Sequence, residues 1–276
     1  MISSIRAEWR KLRQRPAFAV STTLLAAVSL FAYAYLYWRD TNPSARNAAS
    51  AAHDLAGLLP AQFANNALPA AFTLGTLVAI VVGAIAFGSE YGWGTIKLLL
   101  TQRPGRLAEL TGRVVVLAAC GAILTLALFG ASAAGSLGAA LAERQPVAWP
   151  PAWDVALAVG GTWLVLSTYA LLGAALGVAL RQAAAAVGVS LVYVVLVERV
   201  VVQRLGELGW QPAANAGKLF MGVNADALGQ FLNTAPRPPG ALPAPVGPGQ
   251  AALVLAAYTV FFVIVSAGLV WRRDVT

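Results

Sequence analysis

The sequence has few of the residues on which soluble-enzyme chemistry is usually built. It holds one cysteine, Cys120, which lies inside an apolar run, so no disulfide can close within the chain. Its one histidine, His53, leaves little for a histidine-based metal or catalytic centre. Charge is also scarce. Asp, Glu, Lys and Arg make up 11% of the residues, against roughly a quarter in ordinary globular proteins. No HExxH, CxxC or GxSxG pattern occurs, and the apolar runs lack paired aspartates or His–Glu sets. A phosphate-cradling Walker A loop is missing as well: the only Gly-Lys pair, Gly217-Lys218, is followed by Leu219, and Pro212 stands where that pattern requires glycine. The residue types therefore predict a non-catalytic chain that binds no cofactor or metal and cannot hydrolyse ATP by that route.

What the sequence does have is apolar residues, 59% of the total, gathered into long blocks. Six runs reach the about 20 residues needed to cross a bilayer: Ala17–Trp38, Pro69–Gly88, Val114–Leu141, Trp153–Leu180, Ala183–Val202 and Ala251–Trp271. Hydrocarbon offers no hydrogen bonds, so each run must satisfy its own backbone as a helix. The predicted fold class is all-α: a polytopic integral membrane protein of six transmembrane helices behind an N-terminal interfacial helix. The third and fourth runs exceed a perpendicular crossing and predict tilt or extension beyond the lipid. The domain reading is an interfacial helix over 1–16, then a membrane domain over 17–271 with one loop at 89–113 and another at 203–250. Ala32-Tyr33-Ala34 resembles a signal-peptidase site, but the first run is longer than a typical signal core and five more follow, so it is read as a retained span.

Charge placement gives the direction. With the N-terminus inside, the cytosolic face receives twelve Lys/Arg against four acids, a surplus of eight, and the other face holds seven of each. The entire net charge of +8 thus falls on one side, as the positive-inside rule expects, with both termini cytosolic. A nucleic-acid partner loses its motivation. Ahead of the first run, Ile2, Ile5, Trp9 and Leu12 recur at helical spacing while Arg6, Arg10, Lys11 and Arg13 take other faces, which suits a helix lying against anionic headgroups. Pro16 suits the turn into the span.

The segment from Phe87 to Arg106 is the most specific. Gly92 and Gly94 permit a turn, Thr95 is a candidate N-cap, and Ile96, Leu99 and Leu100 share one helical face. Pro104-Gly105 stops that helix after about two turns. A short amphipathic helix next to a span is well placed to dock into a cytosolic partner.

Here the chain resembles the ABC-2 type permeases, particularly the branch found in antibiotic and lantibiotic self-protection, drug export and copper-site maturation. That branch carries Glu-Tyr, then Gly-Thr, paired leucines and Pro-x-Arg, and this chain presents Glu90-Tyr91, Gly94-Thr95, Leu98-Leu99 and Pro104-Gly105-Arg106 in that order. Arg113 replaces the usual lysine entering the third span and preserves its charge. The resemblance implies a transmembrane subunit in a bacterial cytoplasmic (inner) membrane. It would pair with a second copy of itself or a related permease and sit on two ABC ATPase subunits, which would bind the ATP and magnesium. Glu90, Tyr91, Gly94, Thr95, Ile96, Leu98, Leu99, Leu100, Pro104 and Arg106 would then form the ATPase-coupling segment, and the cargo would be an amphiphilic or apolar peptide, antibiotic or lipid-like molecule. The alternative readings are an ATP-independent secondary transporter and a membrane assembly factor.

Other signals are weaker. Thr162, Ser167, Thr168, Tyr169, Ser190 and Tyr193 are the candidates for lining a pathway, since intramembrane polar groups mark such routes by default. Glu198-Arg199 near the end of the fifth run reads as an interfacial pair that snorkels to water or forms an outer ion pair. Gly130, Ala134 and Gly138, and Gly173 with Gly177, allow close helix approach. Residues 213–233 are expected to form a short helix or re-entrant element, followed by a strap with six prolines over 234–249.

Overall fold

The computed structural model describes residues 2–14, 16–42, 55–92, 106–202, 211–236 and 242–272. Among these, regular structure is entirely helical: α1 (Ile2–Gln14), α2 (Pro16–Thr41), α3 (Phe63–Ala70), α4 (Thr76–Gly92), α5 (Arg106–Ala142), α6 (Ala152–Leu180), α7 (Ala183–Val192), α8 (Gln211–Gly217), α9 (Met221–Leu232) and α10 (Pro248–Arg272). A 3₁₀ turn, Pro60–Gln62, precedes α3, and a π-helical segment, Ala71–Gly75, joins α3 to α4 without a break. A second π-helical segment, Tyr193–Val202, continues α7.

Among the described residues five helical stretches are long and apolar enough to cross a membrane: Pro16–Thr41, Pro60–Ser89, Leu110–Ala142, Ala152–Leu180 and Pro248–Trp271. Their exposure pattern fits lipid as solvent. In α2 only Leu25, Ser29, Tyr33 and Asp40 are buried, a narrow stripe at helical spacing, while Val20, Leu24, Phe31 and Trp38 stand exposed. In α10, Leu255, Phe262 and Ser266 turn inward while Leu253, Val260, Ile264 and Trp271 stay outside. A water-soluble helix would place polar residues on that outer face. The chain is a multi-pass membrane protein.

The stretch that holds the bundle together is α6, whose middle and last turns are buried almost continuously. It lies against α4 with no side chain between them at two points. A carbon added to Gly83 would fall inside the Ala170 carbonyl, and one added to Gly173 inside the Ile80 carbonyl. Gly177 extends the same contact to Gly88. Gly130 and Gly138 have open space where a side chain would go, so that stripe packs against none of the described residues. On the other side α2 meets α5, with the Tyr33 ring against Gly135 and its hydroxyl 2.9 Å from Ser132 Oγ, which donates on to the Phe63 carbonyl at 2.6 Å.

Three boundaries depart from the sequence reading. The second helix starts near Pro60, not Pro69, and Pro69 sits inside α3. The backbone accommodates it directly downstream, where Ala71 N–H is shared between Ala67 and Leu68 carbonyls and the π-helical segment begins. The third helix begins at Arg106, because the Arg-Leu-Ala-Glu-Leu stretch ahead of the apolar run is itself helix-forming. The fifth apolar run is α-helical only to Val192 and π-helical beyond.

Candidate functional site

At the end of the bundle that carries α1, three helix ends are tied by charge. Glu8 is buried on α1 and accepts from Lys11 Nζ at 2.7 Å. Arg113 comes from the second turn of α5, with its Nε 3.9 Å from the same Glu8 oxygen and a side chain only 10% exposed. The guanidinium also lies 5.5 Å from the Phe87 ring centroid, within cation–π range, and Phe87 is fully buried on α4. Phe87 and Arg113 flank the segment that the sequence singles out for coupling, so the two points from which that segment leaves the bundle meet each other, and Arg113 in turn meets Glu8 of α1. Glu90 and Tyr91 occupy the last turn of α4, and Arg106 opens α5. Gly94, Thr95, Ile96, Leu98, Leu99, Leu100 and Pro104 lie outside the described residues.

The candidate pathway residues fall inside the protomer. Thr162, Ser167, Thr168 and Tyr169 on α6 and Ser190 on α7 are buried, and Tyr193 is half-buried. Thr168 joins α6 to α10 through Thr259 Oγ1 at 2.9 Å, and Ser190 donates to the Ala186 carbonyl of its own helix at 2.7 Å. Thr162 Oγ1 and Ser167 Oγ are buried with no hydrogen-bond partner among the described residues. The serine and threonine hydroxyls that do bond therefore serve the packing of α6 and α7.

Tyr169 and Tyr193 converge on a residue that the sequence reading placed elsewhere. Glu198 does not snorkel to water. It is 4% exposed and points into the bundle. One carboxylate oxygen accepts the Gly222 N–H at 2.9 Å and the other accepts the Tyr169 hydroxyl at 3.1 Å. The Tyr193 hydroxyl bonds to the same carboxylate. Winding explains the last contact. Residues five apart lie about 140° apart on an α-helix, whereas i→i+5 bonding brings them back to one side. The π-helical segment begins at Tyr193, five residues before Glu198. Gly222 is the second residue of α9, whose N-cap, Phe220, has no capping side chain. Glu198 supplies that missing acceptor from another part of the chain, and its negative charge meets the positive end of the helix dipole.

The far end of α9 is fixed too. Asn65 Oδ1 accepts the Thr234 N–H at 3.0 Å, which pins the residues after α9 to the start of α3. Alongside it, Tyr37 donates to Glu143 at 2.8 Å, Arg39 pairs with Asp40 at 2.7 Å, and Phe63 stacks edge-on with Phe129 and Trp149. Among the described residues no group of three or more His, Cys, Asp and Glu is arranged to hold a metal ion.

Residues 4–197 match the sequence profile of the family described as ABC-2 family transporter protein. No curated protein matches the chain.

Proposed function

The chain belongs to the ABC-2 transporter family, and on that premise we propose that it is the permease half of an exporter for an amphiphilic or apolar molecule. In this family the membrane subunit is typically non-catalytic, normally binds no cofactor, and pairs with ABC ATPase subunits that hydrolyse the ATP. Two ATPases and a second copy of this chain, or of a related permease, complete the machine. The Tyr193–Val202 continuation of α7 makes a sixth crossing, both termini face the cytosol, and the membrane is the cytoplasmic membrane of a bacterium. Residues 89–106 are the coupling segment, received in a groove of the ATPase, with Glu90 bracing the junction.

The observation that carries this reading is the charged anchor of Glu8, Lys11, Arg113 and Phe87. A push on the segment between α4 and α5 arrives at two helix ends that meet through Arg113 and Phe87, with Glu8 of α1 against the Arg113 side. Removing Arg113 or Glu8 would strand the other, since both side chains are buried. Movement at the ATPase face is thereby delivered to α4 and α5 together, and through the Gly83 and Gly173 contacts to α6.

The coupling helix is too short to be stable alone, since helix nucleation costs more than a few hydrogen bonds return. It gains its stability by docking. Each leucine it buries contributes about 1.5–3 kcal/mol, so Leu99→Ser with Leu100→Ser should weaken ATPase association at least about tenfold, or 1.4 kcal/mol. Membrane insertion should be unaffected, because no span is altered. If the double variant keeps the ATPase with wild-type affinity, the segment does not couple.

A further inference from the structure

The turn between α8 and α9 reaches much deeper than a surface loop. Two rulers give the depth of its tip. The Tyr258 hydroxyl donates to the Leu219 carbonyl at 3.1 Å, and Tyr258 lies ten residues into α10, about 15 Å from its start and about 21 Å from its end. Gly222 reaches the carboxylate that Tyr169 also binds, and Tyr169 lies eleven residues, about 16 Å, from the end of α6 at Leu180. At its other end α9 runs out to Thr234, held at the level of Asn65 near the opposite face. The turn Lys218–Phe220 therefore stands near the middle of a hydrocarbon layer about 30 Å thick.

At that depth the turn turns a cation outward. Lys218 is exposed, its ammonium touching, among the described residues, the Asn215 side-chain oxygen at 3.3 Å, and Leu219 beside it is 60% exposed. The turn is held in place. Asn224 Nδ2 donates to the Lys218 and Phe220 carbonyls, both at 2.8 Å, Tyr258 holds Leu219, and Glu198 holds Gly222. The lysine's four-carbon stem is too short to bring its charge to either surface from there. A lysine facing lipid at mid-depth is among the costliest placements in a membrane protein, and such residues face a water-filled route or a partner charge. Glu198 is committed to Gly222, Tyr169 and Tyr193, so it is not the partner.

We propose that Lys218 binds the anionic headgroup of the transported amphiphile, a carboxylate, sulfate or phosphate, while Leu219 meets the first part of its apolar tail. A cation beside an exposed leucine, at mid-depth on the outside of the protomer, is complementary to an acid carrying a hydrocarbon chain. Glu198 acts as a positioning residue that sets the depth of this turn. The proposal rests on the permease reading above and narrows its cargo to anionic amphiphiles.

The test uses the full chain in nanodiscs of zwitterionic phosphatidylcholine, with cis-parinaric acid and its methyl ester as fluorescent probes. The acid should bind saturably to the wild type and the ester should not. Lys218→Gln should weaken acid binding about tenfold or more, and Lys218→Arg should restore it. Equal binding of acid and ester, or an unchanged affinity in Lys218→Gln, would overturn the site. So would quantitative disulfide linkage of two copies carrying Lys218→Cys, Asp226→Cys and Cys120→Ala, because Lys218 would then be paired with Asp226 of the second copy. ATPase association measured on the same discs reports separately on the permease reading: bound ATPase without acid preference removes only the Lys218 site.

Discussion

Replacing Glu198 with alanine strips the acceptor from three donors at once: the Gly222 N–H and the Tyr169 and Tyr193 hydroxyls. Tyr169 is 4% exposed and cannot turn to water, and the Gly222 amide has no other side chain capping it. Each buried donor left unpaired costs about 1–3 kcal/mol, so these two alone give about 2–6 kcal/mol. The variant recovers part of this because it no longer desolvates a carboxylate, which brings the expected net loss to about 2–4 kcal/mol. The loss should be local. Hydrogen exchange by mass spectrometry should show residues 218–232 exchanging about thirtyfold faster at the lower figure, while the centre of α6 is unchanged. Glu198→Gln keeps an acceptor oxygen in place and should lose less than half as much. If Glu198→Ala leaves exchange in α9 at the wild-type rate, the carboxylate does not hold the turn before α9, and its seating must come from Asn224 and Tyr258 alone.

Two further outcomes follow from packing and from charge. Gly173→Val places a branched side chain where the Ile80 carbonyl lies, and should lower the melting point by far more than the control Gly130→Ala, which meets open space. Overpacking of that kind costs about 1–3 kcal/mol or more, and equal melting of the two would show that α4 and α6 can separate freely. In a Cys120→Ala background, cysteines at Ser44 and Gly240 should react with an impermeant reagent from outside intact cells while one at Thr101 stays unlabelled. Labelling at Thr101 would reverse the orientation.

The long helices are legible in the sequence because lipid imposes a length and a composition that few other constraints mimic. Where the sequence misleads, tertiary contacts decide. Pro69 reads as the start of a helix, since it lacks an N–H, yet here it lies within α3 and the strain is taken up by the π-helical segment behind it. Glu198 reads as interfacial because its position was counted from the end of an apolar run. Its burial depends on a helix more than twenty residues later folding back against it, which no local pattern announces. The glycines show the same limit. Gly130 and Gly138 have the favourable spacing and meet no described atom, whereas Gly83, in the equally spaced series Gly75, Ala79 and Gly83 that the sequence reading did not single out, makes the closest backbone approach to α6, opposite Gly173. Over 213–233 the sequence reading expects a short helix or re-entrant element, and the helix is there as α9; what it leaves unread is the role of Asn215, Lys218, Asn224 and Asp226, a polar set within a stretch otherwise rich in Ala, Gly and Leu.

Whether a separate ATPase docked on residues 89–106 drives this chain is decided by native mass spectrometry of the complex extracted from its own membrane. The expected assembly is two permease chains with two nucleotide-binding subunits, falling to permease chains alone when Leu99→Ser and Leu100→Ser are combined. A wild-type chain that emerges without any nucleotide-binding subunit, or a double variant that keeps both, would contradict it.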